Sequence, residues 1–351
     1  MRRLRFLSLC IVLLCSFSVS GFAETKLNFS VKDVIVGHLS DSYEWHMASW
    51  NDFHLTIPLP VIVKGENSGW HCFSSSKLTE AGDRGYENFY INSQDGKIYE
   101  RVGSESRRPL DLSITKNVVQ IWIAAALMLI IFLSCAHWYK KKDVSSDSPK
   151  GFVGFIEMFV NMVVEDIVIP SIGKKHYRPY VPYILTLFFF VFTVNILGLI
   201  PFFPGGANVT GNISITLFLA FCTFLAVNLF GNREYWKEVF WPNVPLFLKC
   251  PIPLMPIIEI IGVISKPFAL MVRLFANIMG GHAVILSLTC IIFITFQVSL
   301  VIGTSLSAIS FLLMIFMNCI EVLVAFIQAY VFAILSSVFI GLAHPEVEEN
   351  N

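Results

Sequence analysis

Apolar positions along this chain gather into long runs separated by short polar segments. The first clear run is NVVQIWIAAALMLIIFLSCAHWY (117–139), which ends against Lys140, Lys141 and Lys142. A second covers about 180–200 and closes in NILGLIPFFPGG, and a third covers about 213–230. Runs of this length and apolarity predict membrane-spanning helices. Lysines abutting a span mark its cytoplasmic end, and GKKHYR (173–178) and GNREYWKEVFWPN (231–243) extend the same side. The uncharged segment after the second run fits the opposite side. Its sequons at Asn208 and Asn212 read as chance matches in a very short loop. Between the first two spans, FVGFIEMFVNMVVEDIVI (152–169) is apolar but interrupted by Glu157, Asn161, Glu165 and Asp166, which predicts a helix lying at the cytoplasmic interface.

The last apolar region, 251–345, holds only four formal charges: Glu259, Lys266, Arg273 and Glu321. Its break falls near Gln297–Ser305, leaving helices of roughly 253–297 and 306–343. At ~1.5 Å per residue these run roughly 65 and 55 Å, against a hydrocarbon core of about 30 Å. Either each folds back on itself, or the two lie steeply tilted as a hairpin, with Pro267 and Gly280–Gly281 as kink points. Tilted helices are the expectation.

Ahead of the spans, MRRLRFLSLCIVLLCSFSVSGFAETK places arginines before an apolar run that ends in small residues, the form of a cleaved secretory signal. Residues 24–113 are mixed, with short alternating runs such as HLTIPLPVIV (54–63). The pattern therefore predicts an all-α polytopic membrane protein of five transmembrane helices, the last two a long, steeply tilted hairpin. To these it adds a signal peptide at 1–23, a small, mostly β extracytoplasmic extension at 24–113, a membrane domain at 114–345 and a cytoplasmic tail at 346–351. The N-terminus is expected outside after signal removal and the C-terminus inside.

Composition agrees. Of 351 residues, 55% are hydrophobic and 14% charged, mean hydropathy is +0.67, and net charge is zero. That leaves no bulk electrostatic basis for nucleic-acid binding. The eight cysteines form no CxxC, so neither a disulfide framework nor a zinc site is implied. His38, His46 and His54 fall eight apart, but without cysteine or carboxylate context they read as surface or packing histidines. No metal and no cofactor are expected.

The chemistry lies in the last two helices. Glu259, Lys266 and Arg273 are spaced seven and seven, close to two turns each, and Asn277 continues the stripe. His282 is nine past Arg273 and faces elsewhere. Glu321 and Gln328 are again seven apart. An arginine at a helix centre costs about 2.5–3.5 kcal/mol on insertion scales, so its presence demands a function. His282 and Glu321 are placed to meet between the helices as a proton relay. An inert pair fixing register is the bland alternative; with Arg273, Asn277 and Gln328 added, ion transport is favoured.

These residues also carry a resemblance. SKPFALMVRLFANIMGGH and EVLVAFIQAYVFAILSSVFIG look like subunit a of the F-type ATP synthase membrane sector, and NILGLIP and NISITL resemble that family's second and third spans. The likeness covers about 115–345. It implies a non-catalytic subunit of the bacterial inner membrane, working against a c-subunit ring, with b subunits of a peripheral stalk and a soluble F1 ATPase in the same complex. Arg273 would face the ring carboxylates. Asn277, His282, Glu321 and Gln328 would line the inlet half-channel, and Glu259, Ser265 and Lys266 would lie toward the cytoplasmic half. The long exported N-terminus and Asn212, where an acidic residue is common, depart from the family pattern. A secondary ion transporter or channel is the rival class, as is a Na⁺-translocating version of the same subunit. No internal repeat of the transporter kind is visible, and no HExxH, GxSxG or phosphate loop supports an enzyme.

Overall fold

The structure is a computed structural model describing residues 37–344, apart from 38, 51–52, 67, 93–94, 104, 143–148, 201–202, 242–253 and 299. The signal segment, the C-terminal tail and His38 lie outside the described residues.

Residues 44–111 carry eight strands: β1 (Glu44–Trp50), β2 (Phe53–Pro58), β3 (Pro60–Gly65), β4 (Gly69–Ser74), β5 (Phe89–Ile91), β6 (Ile98–Val102), β7 (Glu105–Arg107) and β8 (Leu110–Asp111). They form a β1–β2 hairpin and two three-stranded sheets, in the orders β4-β3-β8 and β5-β6-β7. β3 shows the period of two that builds such a layer: Val61 and Val63 are fully buried while Lys64 is exposed. They meet Tyr43, Phe73, Leu78, Phe89 and Ile98 in a small core.

Among the described residues, five helices are long and apolar enough to cross a membrane. α1 (Lys116–Lys141) starts five residues after β8. α2 (Phe152–Asn161) passes into a π-helical stretch, Met162–Val168, and ends as Ile169–Ile172. The expected 152–169 is thus helical throughout, with a π-helical segment inside it. The wider turn buries Val163, Ile167 and Val168 while leaving Glu165 and Asp166 exposed, so the charges that broke the apolar pattern stay out of the bundle core. α3 (Val181–Leu199), α4 (Ile213–Phe230) and the short polar α5 (Arg233–Phe240) follow.

α6 (Leu254–Val298) and α7 (Leu300–Leu342) have 45 and 43 residues. At ~1.5 Å per residue each exceeds 60 Å, about twice the hydrocarbon core, so the pair crosses obliquely. α6 runs without interruption through Pro267, Gly280 and Gly281, so neither helix folds back. The break falls within the expected Gln297–Ser305 but is shorter: the second helix begins at Leu300 rather than near 306. Gly303, Thr304 and Ser305 look like a turn but continue as helix. Ser307 Oγ donates to the Gly303 carbonyl at 2.6 Å, and the missing Cβ of Gly303 lets Phe296 pack close.

The two helices are antiparallel: Phe296 lies beside Gly303, Gly281 beside Glu321, Asn277 is bonded to Gln328, and Lys266 lies over the Phe339 ring. At one end of the bundle, Tyr180 OH meets His344 Nε2 at 2.9 Å and Asn232 N–H donates to the Ala343 carbonyl at 3.0 Å. At the other end sit the β extension, the head of α1 and the α3–α4 loop, where Ala207 N–H donates to Gln120 Oε1 at 2.8 Å.

Candidate functional site

Arg273 projects from a face of α6 that the described residues leave uncovered. Exposed positions recur at Ile261, Ile264, Ser265, Phe268, Ala269, Val272, Arg273, Ala276 and Gly280, the stripe a 3.6-residue repeat produces. Around Arg273 the stripe alternates large apolar side chains with small ones. Among the described residues the guanidinium has neither a hydrogen bond nor an ion pair. The opposite side of α6 buries Leu270, Met271, Leu274 and Ile278.

The spacing of seven does not keep its members equivalent. Each pair of turns falls about 20° short of full rotation, and Lys266 is half-buried with Nζ 5.8 Å from the Phe339 ring centroid. Glu259 is half-buried too. It lies near Tyr235 of α5, whose phenol is raised above its usual range by burial and secondarily by that carboxylate. Ser265 is turned away from its neighbours: its Oγ donates to the Gly262 carbonyl at 3.2 Å and the residue is exposed.

Two cavities flank Arg273 along α6. The larger, of about 250 Å³, is lined by Asn277, Gly280, Gly281 and His282 of α6, Glu321 and Val324 of α7, and Leu199 of α3. It has room for several waters. Glu321 is 7% exposed, and its Oε2 is buried with no hydrogen-bond partner. Gly281 makes room for it, since a Cβ there would collide with Glu321 Oε1. His282 faces α3: a Cβ on Gly198 would lie 3.8 Å from its Nε2. The pair thus shares one cavity without a direct bond. Beside them Asn277 Nδ2 donates to Oε1 of the buried Gln328 at 2.7 Å.

The second cavity, about 20 Å³, lies toward the other end. It is lined by Thr223 and Asn228 of α4, Tyr235, Lys266 and Pro267, and Phe339. Behind it runs a buried hydroxyl chain: Tyr183 OH meets Thr223 Oγ1 at 3.1 Å, and Thr223 Oγ1 meets Ser336 Oγ at 3.2 Å. Sequence reasoning singled out none of these three. Single Ser, Thr and Tyr residues within apolar runs carry no spacing signal; only the packing of α3, α4 and α7 aligns them. Among the described residues no cluster of metal-ligating side chains occurs. The two sequons are structurally occupied: Asn208 is buried, and Asn212 caps α4 by accepting Ser214 N–H at 3.0 Å.

Comparison with known proteins adds two matches that abut near α1. Residues 118–341 match the family model described as ATP synthase A chain. Residues 34–116 match a domain of unknown function. Among individual relatives, the chain is 41% identical over 243 residues to ATP synthase subunit a of Chlorobium phaeobacteroides, covering 68% of this chain and 67% of that one. It is 39% identical over 238 residues to ATP synthase subunit a of Chloroherpeton thalassium, covering 66% and 67%. Against ATP synthase subunit a of Myxococcus xanthus it is 38% identical over 240 residues, covering 67% and 74%.

Proposed function

Because the chain belongs to the ATP synthase A chain family, the proton-translocating a subunit of the F-type complex, we propose that Arg273 separates two offset half-channels. The observation that carries this reading is a guanidinium that, among the described residues, is unpaired and on an uncovered apolar stripe, with a cavity on either side of it along α6. Such a charge is too costly to leave in lipid. It calls for a partner bringing carboxylates at the same depth, and a ring of c subunits has that chemistry. The small residues Ala269, Ala276 and Gly280 let a partner helix come close.

In this reading protons enter through the larger cavity, using His282 and Glu321 with Asn277 and Gln328 beside them. A ring carboxylate is protonated there and carried around. On reaching the other side of Arg273 it is drawn into its ionised form and releases its proton toward Lys266 and Glu259. Arginine suits the task because it stays charged when buried, whereas lysine can lose its proton. The fixed cation also repels protons, so no continuous path short-circuits the gradient. Ring rotation is then driven by roughly 2.3 kcal/mol per charge per 100 mV plus the pH difference.

The subunit itself is non-catalytic; ATP chemistry belongs to the soluble F1 ATPase, held through the b subunits of the stalk. The lysine flanks support an outside N-terminus and inside C-terminus, with residues 1–23 a signal, 24–113 an extracytoplasmic extension, 114–345 the membrane domain and 346–351 a cytoplasmic tail. The larger cavity, at the β-extension end, then opens outward. The test is Arg273→Ala in inverted vesicles. The complex should assemble while ATP-driven proton pumping and ATP synthesis are lost. Coupled pumping at the wild-type rate refutes the reading.

A further inference from the structure

The β extension has no part in the scheme above, yet it is fastened to the same end of the bundle as the larger cavity. Lys116 N–H donates to the Ser42 carbonyl at 3.0 Å, and Asn117 N–H to Asp41 Oδ1 at 3.3 Å. A carboxylate is thereby set at the N-terminus of α1, where the helix dipole favours it. Tyr43 OH donates to Asp111, tying the same segment to β8. From this clamp Trp45, 5% exposed, stands edge-to-face against Phe203 of the α3–α4 loop, with ring centroids 5.3 Å apart.

That loop is pinned along its length. Gly206 N–H donates to the Leu197 carbonyl at 3.2 Å, Ala207 N–H to Gln120 Oε1 at 2.8 Å, and Thr210 Oγ1 to Asn195 Oδ1 at 2.7 Å. Its inner side lies against residues adjacent to the cavity lining. Asn208 Nδ2 lies 3.4 Å from Met279 Sδ, and a Cβ on Gly198 would meet both the Ala207 carbonyl oxygen, at 3.3 Å, and His282 Nε2.

We propose that the extension, through Trp45 on Phe203 and together with Gln120, is a brace that fixes the Ala207 segment against Gly198, next to His282, and so sets the shape and hydration of the proton inlet. Trp45 and Gln120 are positioning residues in this scheme. Trp45 packs on the loop and Gln120 bonds it, and the Ala207 carbonyl and His282 both lie beside Gly198. This inference rests on the inlet assignment above. His282 from α6 and Glu321 from α7 are the titratable groups lining the cavity; α3 contributes Leu199, and the 203–212 loop carries no charge. Loosening the loop therefore alters the surroundings of those two groups and leaves the Lys266 side untouched.

The test is ATP synthesis by the whole complex in vesicles, per assembled complex, recorded against outer and inner pH separately. Trp45→Ala and Gln120→Leu should each lower the rate about three- to tenfold, the scale of a misplaced supporting group. Each should displace the outer-pH profile by roughly half a unit or more as the surroundings of the inlet groups change. The inner-pH profile should stay in place. Trp45→Phe, which keeps an aromatic edge for Phe203, should recover both rate and profile. An unchanged outer profile overturns the brace, whether or not less complex assembles; so does an equal displacement of both profiles. Arg273→Ala in the same vesicles separates the two failures. If it is inactive while Trp45→Ala keeps the wild-type profile, the brace alone falls. If it is active, the inlet assignment falls with it.

Discussion

The two cavities beside Arg273 differ in what lines them. The larger one holds an ionisable pair, Glu321 and His282, with a carboxylate oxygen left unbonded. The smaller one holds hydroxyl and amide groups and a lysine whose ammonium is drawn over an aromatic ring. A path that must capture protons from a dilute source needs groups that change charge. A path that only drains protons from a carboxylate beside a fixed cation needs little more than a few polar groups and water, because Arg273 supplies the driving interaction. In the proposed scheme this asymmetry puts relay chemistry on one side and simple hydration on the other.

The largest effect expected from breaking this contrast is at Glu321. Glu321→Ala should slow ATP-driven pumping by about a hundredfold, removing a relay group of the general acid–base kind, and His282→Ala should act in the same direction. Exchanging the two, as His282→Glu with Glu321→His, should recover more flux than the product of the single effects. A double-mutant cycle on pumping rate reads this coupling. Strictly multiplicative losses without rescue would mean that sharing a cavity is not sharing a function.

A smaller loss is expected from Gly281→Ala. The new methyl occupies space now held by Glu321 Oε1, and the flexible carboxylate has to swing aside. Pumping should fall about tenfold, in keeping with displacement of a positioned group, while the amount of assembled complex is unchanged. A wild-type rate would show that the carboxylate position is not critical.

The smallest effect should lie on the other side of Arg273. Thr223→Val breaks the Tyr183–Thr223–Ser336 chain at its middle without changing volume much. If hydration alone serves this side, flux should fall by no more than about threefold, comparable to one modest hydrogen bond. A loss matching that of Glu321→Ala would erase the contrast and make the hydroxyl chain a relay in its own right.

How far the sequence reveals this arrangement depends on the residue type. Arg273, His282, Glu321, Asn277 and Gln328 stand out because charge or amide is expensive within an apolar run, and their spacing already separates the arginine face from the relay face. Span positions are legible for the same reason: the structure begins α3 at Val181 and α4 at Ile213. The start of α7 is misread because Gly303, Thr304 and Ser305 imitate a turn, while helical hydroxyls satisfy themselves on their own backbone. Ser265, placed toward the cytoplasmic half by the family resemblance alone, likewise bonds its hydroxyl back to the Gly262 carbonyl. The hydroxyl chain and the Trp45–Phe203 brace are invisible to periodicity, because each joins residues from separate elements and neither carries charge.

Sidedness tests the central claim most directly. In a cysteine-free background, Val324→Cys in the larger cavity and Asn228→Cys in the smaller are exposed to silver ions, thiol-reactive cations small enough to follow water. Inhibition of proton flux is measured with the metal on one side of the membrane at a time. The account predicts that Val324→Cys is inhibited from the extracytoplasmic side and Asn228→Cys from the cytoplasmic side, each insensitive from the opposite face. Inhibition of both from the same side would contradict two half-channels divided by Arg273.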